Sequence, residues 1–108
     1  MDRFLLLAQA LSDETRVRAL LALRERELCL CHLVELFGLA PSTLSRHMSL
    51  LRQAGLVTSR REGRWVHYRL ARSNDGSLRM AWDWAEKTLR NDPRVKADRK
   101  ALPACCAA

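Results

Sequence analysis

Apolar residues recur at helical spacing from the start of the chain. Phe4, Leu7, Ala8 and Leu11 form one stripe, and Val17, Leu20, Leu21 and Leu23 form a second behind a Ser12 or Asp13 N-cap. Two amphipathic helices are predicted. Past the charged connection Arg24-Glu25-Arg26-Glu27, residues Leu30, Leu33, Val34 and Phe37 follow an i, i+3, i+4, i+7 pattern, and Gly38 ends this short third helix. Leu39-Ala40-Pro41-Ser42 reads as a turn with a proline and a capping serine. A fourth helix then runs to Ala54, with Leu44, Met48 and Leu51 on one face and Gly55 as terminator. Two short helices around a four-residue turn make a helix-turn-helix.

After Gly55 the period changes to two. Leu56 to Arg61 and Arg64 to Leu70 flank Glu62-Gly63, and Val66, Tyr68 and Leu70 alternate with Trp65, His67 and Arg69, which is the pattern of a β-hairpin. Beyond Asn74-Asp75-Gly76, residues Leu78, Ala81, Trp82, Ala85 and Leu89 read as a closing helix, stopped by Asn91-Asp92-Pro93. The expected fold is mainly α with a small β-hairpin (α+β), a winged helix-turn-helix in the order ααααββα. Residues 1–90 are read as one domain and residues 91–108, charged and then Ala-rich, as a flexible tail.

Charge gives this fold a task. The 108 residues carry a net +7, and residues 41–72 hold seven basic side chains against one acidic. A cluster of that sign on a helix-turn-helix and hairpin points to double-stranded DNA. On the fourth helix Ser42, Ser45, Arg46, Ser49 and Gln53 point outward, with Thr43 and His47 at the edge. Short hydroxyls let a helix lie close in the major groove, and Arg46 can donate two hydrogen bonds to guanine or hold a phosphate. Arg60, Arg61 and Arg64 crowd the hairpin tip, where a wing reaches phosphates, and Arg69 and Arg72 extend the stripe. His47, near the core edge, reads better as a packing or hydrogen-bonding histidine than as a base reader. A chain this short hides only about two thirds of its unfolded surface, a shortage that dimerisation would relieve.

No apolar run approaches the roughly 18 residues of a membrane span, so a soluble, cytoplasmic protein is expected. There, cysteines serve as ligands or sensors more often than as structural disulfides. Cys29 and Cys31 open the third helix beside Arg24 and Arg26, a setting that favours thiolates and hence soft metals and metalloids. On a regular helix they stand roughly 200° apart, so a shared ion would have to unwind the first turn. Cys105 and Cys106 are adjacent in the tail. They can supply a third thiolate to the first pair, bind a ligand of their own, or do neither. An enzyme using this pair as a redox dithiol finds no supporting nucleophile and base.

Ala10-Leu11-Ser12-Asp13-Glu14-Thr15-Arg16, Glu27-Leu28-Cys29-Leu30-Cys31-His32-Leu33, Ser42-Thr43-Leu44-Ser45-Arg46-His47-Met48 and Gly63-Arg64-Trp65-Val66-His67-Tyr68-Arg69-Leu70 closely resemble the ArsR/SmtB family of metal-responsive repressors, over about residues 4 to 90. The resemblance implies a homodimeric repressor that binds an inverted repeat ahead of arsenic-resistance genes. It would leave that operator when cysteine thiolates capture trivalent arsenic or antimony. The first and last helices would form the dimer interface, with Leu7, Leu11, Trp82 and Leu89 on the apolar faces. Some arsenical sensors carry a third cysteine three residues past the second, where Val34 stands here. Members with adjacent C-terminal cysteines favour methylated trivalent arsenicals, an arrangement similar to Cys105-Cys106. Two alternatives share the fold: a cadmium, lead or zinc sensor in which His32 joins the thiolates, and a thiol-redox regulator.

Overall fold

The computed structural model describes residues 1–102. Its elements are α1 (Asp2–Ala10), α2 (Glu14–Leu23), β1 (Leu28–Cys29), α3 (Leu30–Phe37), α4 (Pro41–Gln53), β2 (Val57–Glu62), β3 (Trp65–Leu70), α5 (Gly76–Leu89) and α6 (Pro93–Ala101). The predicted winged helix-turn-helix is present, with two elements added to the expected order.

Aspartates start three of the helices by accepting from amides that would otherwise lack partners. Asp13 accepts from the Arg16 N–H, Asp75 from Ser77 and Leu78, and Asp92 from Arg94. Gly38, at φ 66°, closes α3 in the left-handed conformation and donates to the Val34 carbonyl at 2.8 Å. Glu62 pairs with Trp65 across the hairpin, so the turn residues are Gly63 and Arg64. Gly63 has φ 62° and no non-glycine residue has a positive φ among the described residues, as a type II′ turn requires.

The sheet has the order β1-β3-β2, antiparallel throughout. β1 was not foreseen. It pairs Leu28 with Tyr68 and Cys29 with His67, so the segment ahead of α3 is the third strand of the wing. Leu20, Leu33, Leu44, Met48, Leu51 and Leu56 are fully buried in the core between α2, α3, α4 and the sheet. The helical ones among them stand at the period-of-3.6 positions that the sequence pattern assigns inward.

The second addition corrects the expected tail. Asn91-Asp92-Pro93 ends α5 and also begins another helix, with Asp92 as N-cap and Pro93 in the first turn, where a missing N–H costs nothing. α6 docks on α2 mainly through charge. Asp98 accepts two hydrogen bonds from Arg18, at 2.6 and 2.8 Å, and Arg99 grips Glu86 at 2.6 and 3.0 Å while reaching the Leu21 carbonyl. Val95 adds apolar contact with Leu21 and Ala85. The rest of the expected tail, with Cys105 and Cys106, lies outside the described residues.

Two stability effects follow from this docking. Asp98 is buried, so Asp98→Ala leaves the Arg18 guanidinium only its 3.2 Å contact with the exposed Glu14 and should cost about 1 to 3 kcal/mol. A urea midpoint equal to wild type would show that α6 is not held in this way. The Arg99 guanidinium, with smaller help from Arg24 and Arg90, holds the Glu86 carboxyl below its usual range. A carboxylate depressed in the folded state stabilises fully above its ordinary pKa and loses that contribution as pH falls through the folded value. Glu86→Gln should therefore lower Tm at neutral pH, with the gap to wild type closing in acid. A gap independent of pH would contradict this assignment.

One face of α1 and α5 remains open. Phe4, Met80 and Trp84 are 71%, 72% and 66% exposed and line a groove with Leu7 and Leu11. Trp82 and Leu89, expected on a dimer face, instead pack inward, Trp82 on the main core and Leu89 against the Leu21 cluster. Trp84, two residues from Trp82 and so on the opposite side of the helix, is the exposed one.

Candidate nucleic-acid interface and thiol site

The outward face of α4 presents Ser42, Thr43, Ser45 and Arg46 to solvent, with Ser49 half-buried beside them and Gln53 exposed beyond. Arg46 makes no ion pair among the described residues. Leu44, Met48 and Leu51 fix the opposite face in the core, so the rotation of this helix is set by packing. His47 behaves differently from its neighbours. Its Nδ1 stands 3.0 Å from Arg16 Nη1 and 3.8 Å from the Asp13 carboxylate. Arg16 is itself buried and donates to the Ala10 and Gln9 carbonyls. An arginine can only donate, so His47 accepts through Nδ1, and the pair ties α4 to the α1–α2 corner. That geometry turns His47 toward the protein.

The wing arginines divide in the same manner. Arg61 and Arg64 are exposed at the tip, with the Arg64 guanidinium 5.5 Å from the Trp65 ring centroid. Arg60, by contrast, is held at 2.6 Å by both Glu27 and Glu62. The hydrogen bond from Glu27, then that from Glu62, raises the Arg60 pKa, and Arg60 lowers that of Glu62. Its charge is already answered. Arg52 and Tyr68 were missed in the sequence. Arg52 donates to the Ser59 hydroxyl and so joins α4 to β2. Burial pushes the Tyr68 phenol up, opposed by the Arg52 charge and a hydrogen bond with Ser45, which places Tyr68 against the exposed face of α4.

Cys29 is the N-cap of α3, in extended conformation (φ −85°, ψ 162°), and Cys31 lies in the first turn. The two form a disulfide, with Cα atoms 5.3 Å apart. This corrects the expectation that a shared ligand must unwind α3. Cys29 belongs to β1, outside the helix, so the opposed wheel positions never arise and both sulfurs meet with α3 intact. Cys29 is buried and Cys31 exposed. His32 brings a third ligand-type atom within 4.8 Å of both sulfurs. Its Nδ1, however, accepts the Cys29 amide N–H at 3.3 Å. With Nδ1 engaged, the neutral ring carries its proton on Nε2, and an ion at either nitrogen displaces the cap or the proton.

Fold and site together define a winged-helix regulatory domain with a dithiol built into the wing sheet. Residues 13–59 match the bacterial regulatory proteins of the arsR family, so the chain carries an arsR-family helix-turn-helix domain. It is 48% identical over 63 residues to the arsenic resistance transcriptional regulator ArsR1 of Pseudomonas putida, a match covering 57% of this chain and 49% of that protein. The chain thus spans about half the length of the curated relatives it matches. Among solved structures, HlyU from Vibrio cholerae superposes with a TM-score of 0.70 at 27% identity, over 83% of this chain and 95% of that one. The cadmium metal-sensor CMTR from Mycobacterium tuberculosis gives a TM-score of 0.55 at 37% identity, over 80% and 81%. The family and these neighbours are regulators, not enzymes. No helix among the described residues is long and apolar enough to cross a membrane.

Proposed function

We propose that this protein is a transcriptional repressor of arsenic-resistance genes, released from an inverted-repeat operator when trivalent arsenic or antimony, inorganic or methylated, binds Cys29 and Cys31. It acts in the cytoplasm as a homodimer joined through the open α1–α5 face. The observation that carries this reading is the position of Cys29 in β1, hydrogen-bonded to the wing and adjacent in space to Cys31. Thiolates are the ligand form, so the disulfide must first be reduced by two electrons. An atom inserted between the sulfurs then displaces Cys29. Cys29 pairs with His67, the next residue Tyr68 touches Ser45, and so a shift at the thiols moves both the wing and the DNA-facing side of α4.

On the DNA side Ser42, Thr43, Ser45, Arg46 and Ser49 enter the major groove, and Arg61 and Arg64 hold phosphates. Arg60 fixes the wing to Glu27, and His47 sets the helix against Arg16. A cadmium or zinc reading is favoured by the Cys29-Cys31-His32 group, and a redox reading by the disulfide itself. A reporter gene behind the protein's own upstream DNA separates the three. Induction by arsenite, antimonite or methylarsenite is expected. Induction by cadmium or zinc alone, or by peroxide without a metalloid, would replace the arsenical reading with the corresponding alternative.

A further inference from the structure

We infer that the cleft where the base of the wing meets α2 and α5 binds a phosphate group, free or carried by a small organic molecule. It shares no residue with the thiol pair or with the outward face of α4. Three segments converge there around an open cavity of about 520 Å³. Arg24 is the C-cap of α2, and Arg72, Ser73 and Asn74 belong to the connection from β3 to α5. Arg79, Trp82 and Asp83 come from one face of α5, at i, i+3 and i+4 spacing.

The lining is rich in donors that lack an acceptor. Arg72 and Arg79 are exposed, and neither guanidinium makes a hydrogen bond or ion pair among the described residues. Arg24 meets Glu86 at 3.2 Å and Asp83 at 3.5 Å, so the one carboxylate in the lining, Asp83, is already answered by a cation. The Ser73 hydroxyl accepts the Asp75 amide N–H at 3.0 Å, which leaves its own proton to donate. Trp82 is only 8% exposed and lines the same cavity, and its buried Nε1–H has no acceptor among the described residues. An indole N–H can only donate, and a buried one normally finds a partner.

Two unanswered guanidinium groups, a hydroxyl and an orphaned indole N–H share one need, an anionic acceptor with several oxygens. Phosphate meets it, since guanidinium groups bind its oxygens in pairs and its charge matches theirs. The cavity is larger than a phosphate ion, and Leu70, Ala71 and the Trp82 ring give it an apolar side that suits an organic body attached to the phosphate. DNA is disfavoured as the source. Leu70, at the base of β3, stands five residues, about 17 Å, from Trp65 at the wing tip.

The chain has three tryptophans, so the indole N–H region of a nitrogen-15 correlation spectrum reads the site directly. Trp65→Phe and Trp84→Phe, both at exposed positions, assign the Trp82 signal by elimination without disturbing the core. Inorganic phosphate, added to the full chain at constant ionic strength, should shift the Trp82 signal saturably and leave the other two in place. Phenyl phosphate should do the same, and tighter binding than phosphate would identify an organic ester as the source. The Arg72→Ala, Arg79→Ala double variant should bind phosphate about 10-fold more weakly. No saturable shift, an equal shift of all three signals, or unchanged affinity in the double variant would overturn the inference. Loss of the phosphate response once the upstream duplex is bound would assign the site to DNA and overturn it as well.

Discussion

Replacing Cys31 by serine should leave affinity for the upstream duplex at the wild-type level and abolish the loss of binding on adding arsenite. Cys31 is exposed, so a hydroxyl there meets water and the fold is unaffected. The arsenic centre, in contrast, loses a soft ligand that serine does not replace. Cys29→Ser should give the same loss of response with an added cost. Cys29 is 3% exposed, and an uncompensated buried hydroxyl costs about 1 to 3 kcal/mol. A variant that lost stability and response together would leave the two effects entangled, which is why Cys31 is the cleaner probe. Anisotropy of a labelled duplex checks both variants; normal arsenite release by both would remove the thiol pair from the mechanism.

The second large effect concerns Arg46. Exposed on α4 and without an acidic partner among the described residues, it should contribute about 1 to 3 kcal/mol of discrimination if it reads a guanine, all of it lost in Arg46→Ala. Equal loss on operator and random duplexes would make it a phosphate contact. The wing supplies an internal comparison. Arg61→Ala should reduce the slope of log affinity against log salt by about 1, the mark of one phosphate contact. Arg60→Ala should leave that slope nearly unchanged, because Glu27 and Glu62 already hold its guanidinium at 2.6 Å. A steeper effect at Arg60 than at Arg61 would reverse the division of the wing into structural and DNA-facing arginines.

The helix-turn-helix and the hairpin were legible because their physics is local. Leu44, Met48 and Leu51 repeat with the helix, Val66, Tyr68 and Leu70 repeat with the strand, and Gly38, Gly55 and Gly63 punctuate them. β1 has two residues, too few for any period, and exists only because Tyr68 and His67 lie opposite. With it went the position of Cys29, since a residue placed one step early on the helix wheel points the wrong way. α6 was missed for a related reason. Its apolar contribution within the helix is little more than Val95, and its docking rests on Arg18 with Asp98, partners 80 residues apart that no window along the chain connects. Trp82 and Trp84 show the limit of composition: both are bulky and apolar, and only the direction of α5 decides that the first fills the core while the second faces out. The charge of Arg60 was equally visible in the sequence, whereas its neutralisation by Glu27, 33 residues earlier, was not.

Anisotropy of the reduced full-length chain on its own upstream duplex, titrated with arsenite at constant salt, tests the link between the thiols and DNA most directly. Dissociation at one equivalent of arsenite per chain, without any change in wild-type affinity before the addition, is the expected result. A complex that arsenite leaves intact, and that zinc or peroxide dissolves, would contradict it.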